Sequence, residues 1–81
     1  MSEQEIFDKI KEVLIEEFEV EEKIITKEAS FYEDMGLDSL DAIDLVVSLN
    51  NIYNIEVDNR DVEEIRNIQQ LIEVVKKNLP Q

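Results

Sequence analysis

The chain has 81 residues, with 8 basic and 21 acidic side chains, no histidine and no cysteine, giving a net charge of −13. That length supports one domain spanning residues 1–81 and not two. Without His or Cys there is no Ser–His–Asp or Cys–His engine, no disulfide and no thiolate or imidazole for a metal centre, so we expect no catalytic residue and no metal site. The negative charge works against nucleic-acid phosphates and anionic lipid surfaces, and it favours basic partners. An apolar content of 43% is too high for a disordered acidic tail, so the chain should fold. Its apolar runs are too short to span a membrane. The opening Met1 to Phe7 has no basic stretch followed by an apolar one, so a cytoplasmic protein is the expectation.

In chain order, a first helix should open on Ser2, with Glu5 three residues later in a capping-box pattern. Ile6, Ile10, Val13, Leu14 and Phe18 form its apolar stripe, and it should end near Glu17 or Phe18. Residues 19–38 have no clean period. Val20, Ile24, Ile25, Phe31, Met35 and Leu37 let them pack as a compact loop, with a brief helical turn over Ser30–Met35. Gly36 gives freedom for a sharp turn. A second helix should start at Asp38 or Ser39 and run to about Tyr53, capped by Asp38 with Asp41. Asp58 with Asp61 repeats that spacing and announces a short third helix to about Glu64. Asn67 can cap the last helix, whose stripe is Ile68, Leu71, Ile72, Val75 and Leu79. Lys76 and Lys77 suit its final turn, and Pro80 should stop it. The fold class is therefore all-α, a small bundle of three long helices and one short, with a long loop after the first.

The second helix carries two apolar faces. At about 100° per residue, Ala42, Leu45, Val46, Leu49 and Tyr53 share one side and form its core face. Leu40, Ile43 and Val47 share another, bordered by Asp44 and Asn51, with Asp41 farther round. Either this second stripe packs beneath the long loop, or it is a docking strip rimmed by acids. Charge placement favours the strip. No basic residue lies between Lys27 and Arg60, while Glu28, Glu33, Asp34, Asp38, Asp41, Asp44, Glu56 and Asp58 lie between them. Such a run can be a plain solvated face, but it also steers basic partners.

Ser39 sits at the start of this helix, between Asp38 and Leu40. It can be a simple capping or first-turn serine. With no histidine to activate it, it is implausible as a nucleophile acting by itself. It is well placed as an acceptor activated by another enzyme, because helix-start amides favour an attached phosphate.

The run Glu33-Asp34-Met35-Gly36-Leu37-Asp38-Ser39-Leu40-Asp41 resembles the phosphopantetheine attachment site of the acyl carrier proteins. Ala29-Ser30-Phe31, then Asp44-Leu45-Val46 with Leu49 and Tyr53, extend the resemblance over essentially the whole chain. The resemblance implies a four-helix fold and a 4′-phosphopantetheine that a phosphopantetheinyl transferase moves from coenzyme A onto Ser39. It implies that Asp38 helps hold magnesium and the transferase. It also implies acyl groups carried as thioesters, within the apolar interior of helices two to four, for fatty acid, polyketide or related lipid biosynthesis. Acyl-transfer, condensing and modifying enzymes with basic patches would then dock on Leu40, Asp41, Ile43, Asp44 and Val47.

The chain departs from the family's housekeeping members at Val47, where Met is common, and at Asn50, Asn51 and Ile52, where glutamates are usual. Tyr53 replaces a common Phe, and Asp58 stands where Pro is usual. The acidic rim is thinner towards the end of the helix, which leaves a specialised carrier open. An aminoacyl, D-alanyl or peptidyl carrier of the same fold is a further reading. An acidic interaction module with Ser39 only a cap is another. A calcium binder of the EF-hand type fails, because no 12-residue window has the required Gly and Glu positions.

Overall fold

The computed structural model describes residues 2–79. Its helices are α1 (Glu3–Phe18), α2 (Ser39–Tyr53), α3 (Asn59–Glu64) and α4 (Ile68–Asn78), with a 3₁₀ turn at Glu22–Ile24. No strand occurs among the described residues; a single antiparallel bridge joins Ser30 to Asn67. Pro80, the expected stop after α4, lies outside the described residues.

Three helix starts obey the same local rule. The caps Ser2, Asp38 and Asn67 each accept the amide three residues on, and Glu5, Asp41 and Gln70 each return a bond to the cap's own amide. Each box satisfies two amides that a helix start otherwise leaves open. The fourth start differs from the expected pattern. Asp58 accepts from the Arg60 amide at 2.8 Å, and no reciprocal bond from Asp61 forms. The Asp61 carboxylate instead lies 3.5 Å from Lys77 Nζ on α4, so a tertiary ion pair competes with the local one.

The apolar stripes then meet in one core. Ile6, Ile10 and Leu14 of α1 and Leu45 and Leu49 of α2 pack with Ile68, Leu71, Ile72 and Val75 of α4, all fully buried. Phe18, Tyr53 and Leu79 are half-buried at the edge of that core. Burial pushes the Tyr53 phenol up from its ordinary value, Lys9 opposing and Glu5 adding slightly. At neutral pH it is therefore an uncharged edge residue. Among the described residues no polar side chain is buried.

The 20-residue stretch between α1 and α2 is held from several sides. Glu19 turns the chain in the left-handed region (φ 56°), and Lys11 of α1 pairs with Glu22 at 2.9 Å. Val20, Ile25, Ala29 and Phe31 are buried. The Gln69 amide donates to the Lys27 carbonyl and the Phe31 amide to the Arg66 carbonyl, both at 2.9 Å. The loop is thus hooked onto the α3–α4 junction.

A serine left free at the start of α2

Between the hooked loop and α2, each residue is set by a local interaction. Ser30 Oγ accepts from the Tyr32 and Glu33 amides at 3.2 and 3.1 Å, and the Ser30 amide donates to Asp34 Oδ2 at 2.7 Å. The Asp34 amide reaches back to the Ser30 carbonyl at 3.1 Å, closing the single helical turn expected at Ser30–Met35. Phe31, 1% exposed, pins that turn to the core. Gly36 follows with φ 70°, a conformation that costs a residue with a Cβ about 1 kcal/mol or more. The Leu37 amide then closes on the Phe31 carbonyl at 2.9 Å, and Asp38 precedes α2 in extended backbone.

Asp38 is the cap, so Ser39 is not. Asp38 Oδ1 accepts from the Asp41 amide at 2.9 Å, and Asp41 Oδ2 accepts from the Asp38 amide at 3.2 Å. Ser39 is the first residue inside the helix and is exposed. The chain has four serines, and the other three are engaged. Ser2 caps α1, Ser30 closes its turn, and Ser48 Oγ donates to Glu17 Oε1 at 2.8 Å. The Ser39 hydroxyl has no such bond among the described residues, nor do the Ser39 and Leu40 amides. A free hydroxyl beside two open helix-start amides fits a phosphate ester, which needs one oxygen to bond through and donors for the rest. The Asp38 and Asp41 carboxylates are turned onto backbone amides, which blunts their opposition to such a phosphate.

The two faces of α2 separate as the angular spacing requires. Ala42, Leu45, Val46 and Leu49 are buried, while Leu40, Ile43 and Val47 are 70%, 47% and 49% exposed. The long loop does not cover the second stripe, because its apolar residues are drawn towards the α3–α4 junction. Asp44 and Asn51 are exposed beside the stripe, and Asp41 is half-buried.

Sequence reasoning did not find Arg66, Gln69 or the Lys27 carbonyl, which fix the loop. Arg66 donates through Nη1 to the Glu63 carbonyl at 2.8 Å, closing the end of α3, and its guanidinium lies 5.8 Å from the Tyr32 ring. The one signal available was an aromatic and an arginine far apart in sequence, which names no pair. Among the described residues no cluster of three or more carboxylates could hold a metal ion.

Fold and site together define a small helical domain with an exposed, unengaged serine at the start of its second long helix. Residues 8–75 match the family model for the phosphopantetheine attachment site. An acyl carrier protein of Guillardia theta is 37% identical over 79 residues, covering 98% of both chains. Another, of Thermotoga maritima, is 36% identical over 78 residues, covering 96% of both. The crystal structure of an acyl carrier protein from Thermotoga maritima superposes with a TM-score of 0.86 at 27% identity, covering 96% of this chain and 91% of that one. The chain belongs to the acyl carrier protein family, within the phosphopantetheine-attachment domains, and its cofactor is a covalent 4′-phosphopantetheine.

Proposed function

We propose that Ser39 is the residue that accepts 4′-phosphopantetheine, and that residues 1–81 act as one carrier unit without catalysis of their own. The observation that carries this reading is the unengaged Ser39 hydroxyl at an open helix start, where the other serines are all in use. The chain offers no histidine to take the Ser39 proton, so the base belongs to the attaching transferase. Asp38, already oriented by the capping box, keeps one carboxylate oxygen for the magnesium and the transferase in that reaction. The bound group supplies the thiol that this cysteine-free chain lacks, and acyl units are held on it as thioesters. Docking of partner enzymes then falls to Leu40, Ile43 and Val47, with Asp41 and Asp44 facing basic patches.

The radius of gyration of 11.4 Å supports a single unit, being close to the roughly 11.6 Å of one compact domain of this length. No described helix is long and apolar enough to cross a membrane, which fits a cytoplasmic carrier. The cargo would lodge among α2, α3 and α4. Leu45, Leu49, Ile65 and Ile68 are packed tightly there, so a cargo chain must part them. Acyl cargo for fatty acid, polyketide or related lipid synthesis is favoured over aminoacyl cargo by the near full-length likeness to acyl carrier proteins.

The test is direct. The protein is incubated with coenzyme A, magnesium and a broad-specificity phosphopantetheinyl transferase, then weighed intact. One phosphopantetheinyl group should be gained by the wild type and by Ser48→Ala, and none by Ser39→Ala. A gain that survives Ser39→Ala moves the attachment elsewhere, and no gain at all overturns the proposal.

A further inference from the structure

The walls of the proposed cargo chamber are not equally firm. Leu45 and Leu49 stand on α2 and Ile68 on α4, and both helices start with a capping box. Ile65 stands on neither. It follows α3, which has six residues and no reciprocal cap, and its own backbone is extended. Segments of this kind open before the rest of a fold does. Ile65 is buried, yet it also borders an open groove of about 210 Å³ between α3 and α4, which gives its side chain room to leave the core. Few ties hold the segment. In the Asp61–Lys77 pair the lysine is largely exposed, and such pairs contribute little. Arg66 does more. Its amide donates to Gln70 Oε1 at 2.6 Å, and its carbonyl accepts from the Phe31 amide at 2.9 Å. Its guanidinium donates through Nη1 to the Glu63 carbonyl at 2.8 Å and lies 5.8 Å from the Tyr32 ring. Glu63 is in the last turn of α3, where a helix leaves its carbonyls without partners. Tyr32 belongs to the turn that precedes Gly36 and Ser39. One side chain thus ties the end of α3 to the serine turn, next to the residue that must move.

We propose that Arg66 is the clasp of the cargo chamber: its guanidinium holds Ile65 against the core, and the chamber opens when that hold is released. The inference rests on Ser39 as the attachment residue and on cargo lodging among α2, α3 and α4. Arg66 is a positioning residue, acting through Ile65 and not on the cargo. The clasp is closed in the empty carrier and broken in the loaded one, so it opposes burial of the cargo. Removing a contact that exists in one state alone shifts the balance by the strength of that contact. Loss of the guanidinium, with its carbonyl bond and its aromatic contact, therefore moves the chamber about fivefold towards buried cargo. A residue that only stabilised the fold would behave otherwise, because its loss would weaken empty and loaded carriers alike.

The experiment compares empty and loaded carriers. The chain is loaded from coenzyme A or from octanoyl-coenzyme A by a broad-specificity phosphopantetheinyl transferase with magnesium. Two quantities are read: the urea midpoint of each form, and the rate at which neutral hydroxylamine cleaves the octanoyl thioester, which follows its exposed fraction. Arg66→Gln should lower the midpoint of the empty carrier and leave that of the octanoyl carrier near wild type. Its thioester should be cleaved about fivefold more slowly. Arg66→Lys keeps a charge near Tyr32 without the planar fork and should fall between the two. Arg60 is exposed on α3 and forms no ion pair among the described residues, so Arg60→Gln makes the same charge change without touching the clasp and should match wild type in both readings. Equal losses of midpoint in the empty and loaded forms of Arg66→Gln, or cleavage as fast as in the wild type, overturn the clasp. So does an Arg60→Gln effect as large as that of Arg66→Gln, since charge alone would then account for it. A wild-type chain that takes up no octanoyl-phosphopantetheine overturns the attachment reading, and the clasp with it. A wild-type thioester cleaved as fast as octanoyl-coenzyme A overturns the chamber itself.

Discussion

The starts of α2 and α4 are the same motif put to opposite uses. Each has a short polar cap, a capping box and free amides at its first two residues as far as local structure goes. At α4 the fold consumes what is left over. Ile68 is fully buried, and the Gln69 amide is taken by the Lys27 carbonyl at 2.9 Å. Gln70 Oε1 accepts from both Arg66 and Asn67 amides, at 2.6 and 3.3 Å. At α2 the equivalent residues are Ser39 and Leu40, exposed and with their amides open. A helix start is a structural joint when tertiary partners arrive and an open surface when none do. The loop decides which, because it spends its hydrogen bonds on the α3–α4 junction.

Substitution at the first helical position should break this contrast most sharply. Ile68→Ala should cost about 2–5 kcal/mol, since it opens a cavity in the packed core. Ser39→Ala should stay within about 0.5 kcal/mol, since its side chain touches nothing the fold needs. Urea unfolding of both variants measures the difference. A Ser39→Ala loss comparable to that of Ile68→Ala would mean that the α2 start is a joint as well.

The caps should differ less. Asn67→Ala removes a bond to Gln70 and loosens the segment that holds the loop, for about 1–2 kcal/mol. Asp38→Ala removes a similar bond but also one negative charge from a chain carrying −13. Its expected cost is smaller, about 0.5–1 kcal/mol. Thermal melts at two salt concentrations separate the terms. Added salt screens the self-repulsion and should widen the gap between Asp38→Ala and wild type. A gap that narrows with salt would show that the lost cap matters less than the lost charge–dipole attraction.

The helices and caps were legible because their signals are local: apolar spacing and a polar residue three positions before its partner. Asp58 with Asp61 shows the limit of that reading. The spacing is right, but Lys77, 16 residues on, claims the Asp61 carboxylate. The hooks of the loop could not be read at all. They are main-chain bonds from Phe31 to Arg66 and from Gln69 to Lys27, and a carbonyl has no residue-type signature. The same blindness touched the site. Sequence placed Ser39 at the helix start and Leu40, Ile43 and Val47 on one stripe. Whether the loop covered that stripe depended on those hooks.

The smallest effect concerns how α1 is tied to α4. Glu3 Oε2 lies 3.0 Å from Lys76 Nζ, and Glu3 Oε1 accepts from Gln69 Nε2 at 3.3 Å. The hydrogen bond from Lys76 holds the Glu3 carboxyl below its usual range, helped by Gln69 and by the charge of Lys76. A carboxyl whose folded value is depressed stabilises the fold above its unfolded value. That contribution is lost as pH falls through the depressed value. Glu3→Gln isolates the ion pair. Its melting temperature should lie below wild type by a constant margin at neutral pH, and the margin should close as pH falls below the ordinary carboxylate range. A margin unchanged down to pH values where Glu3 is protonated would mean that Glu3 contributes through contact with Lys76 and Gln69 and not through charge.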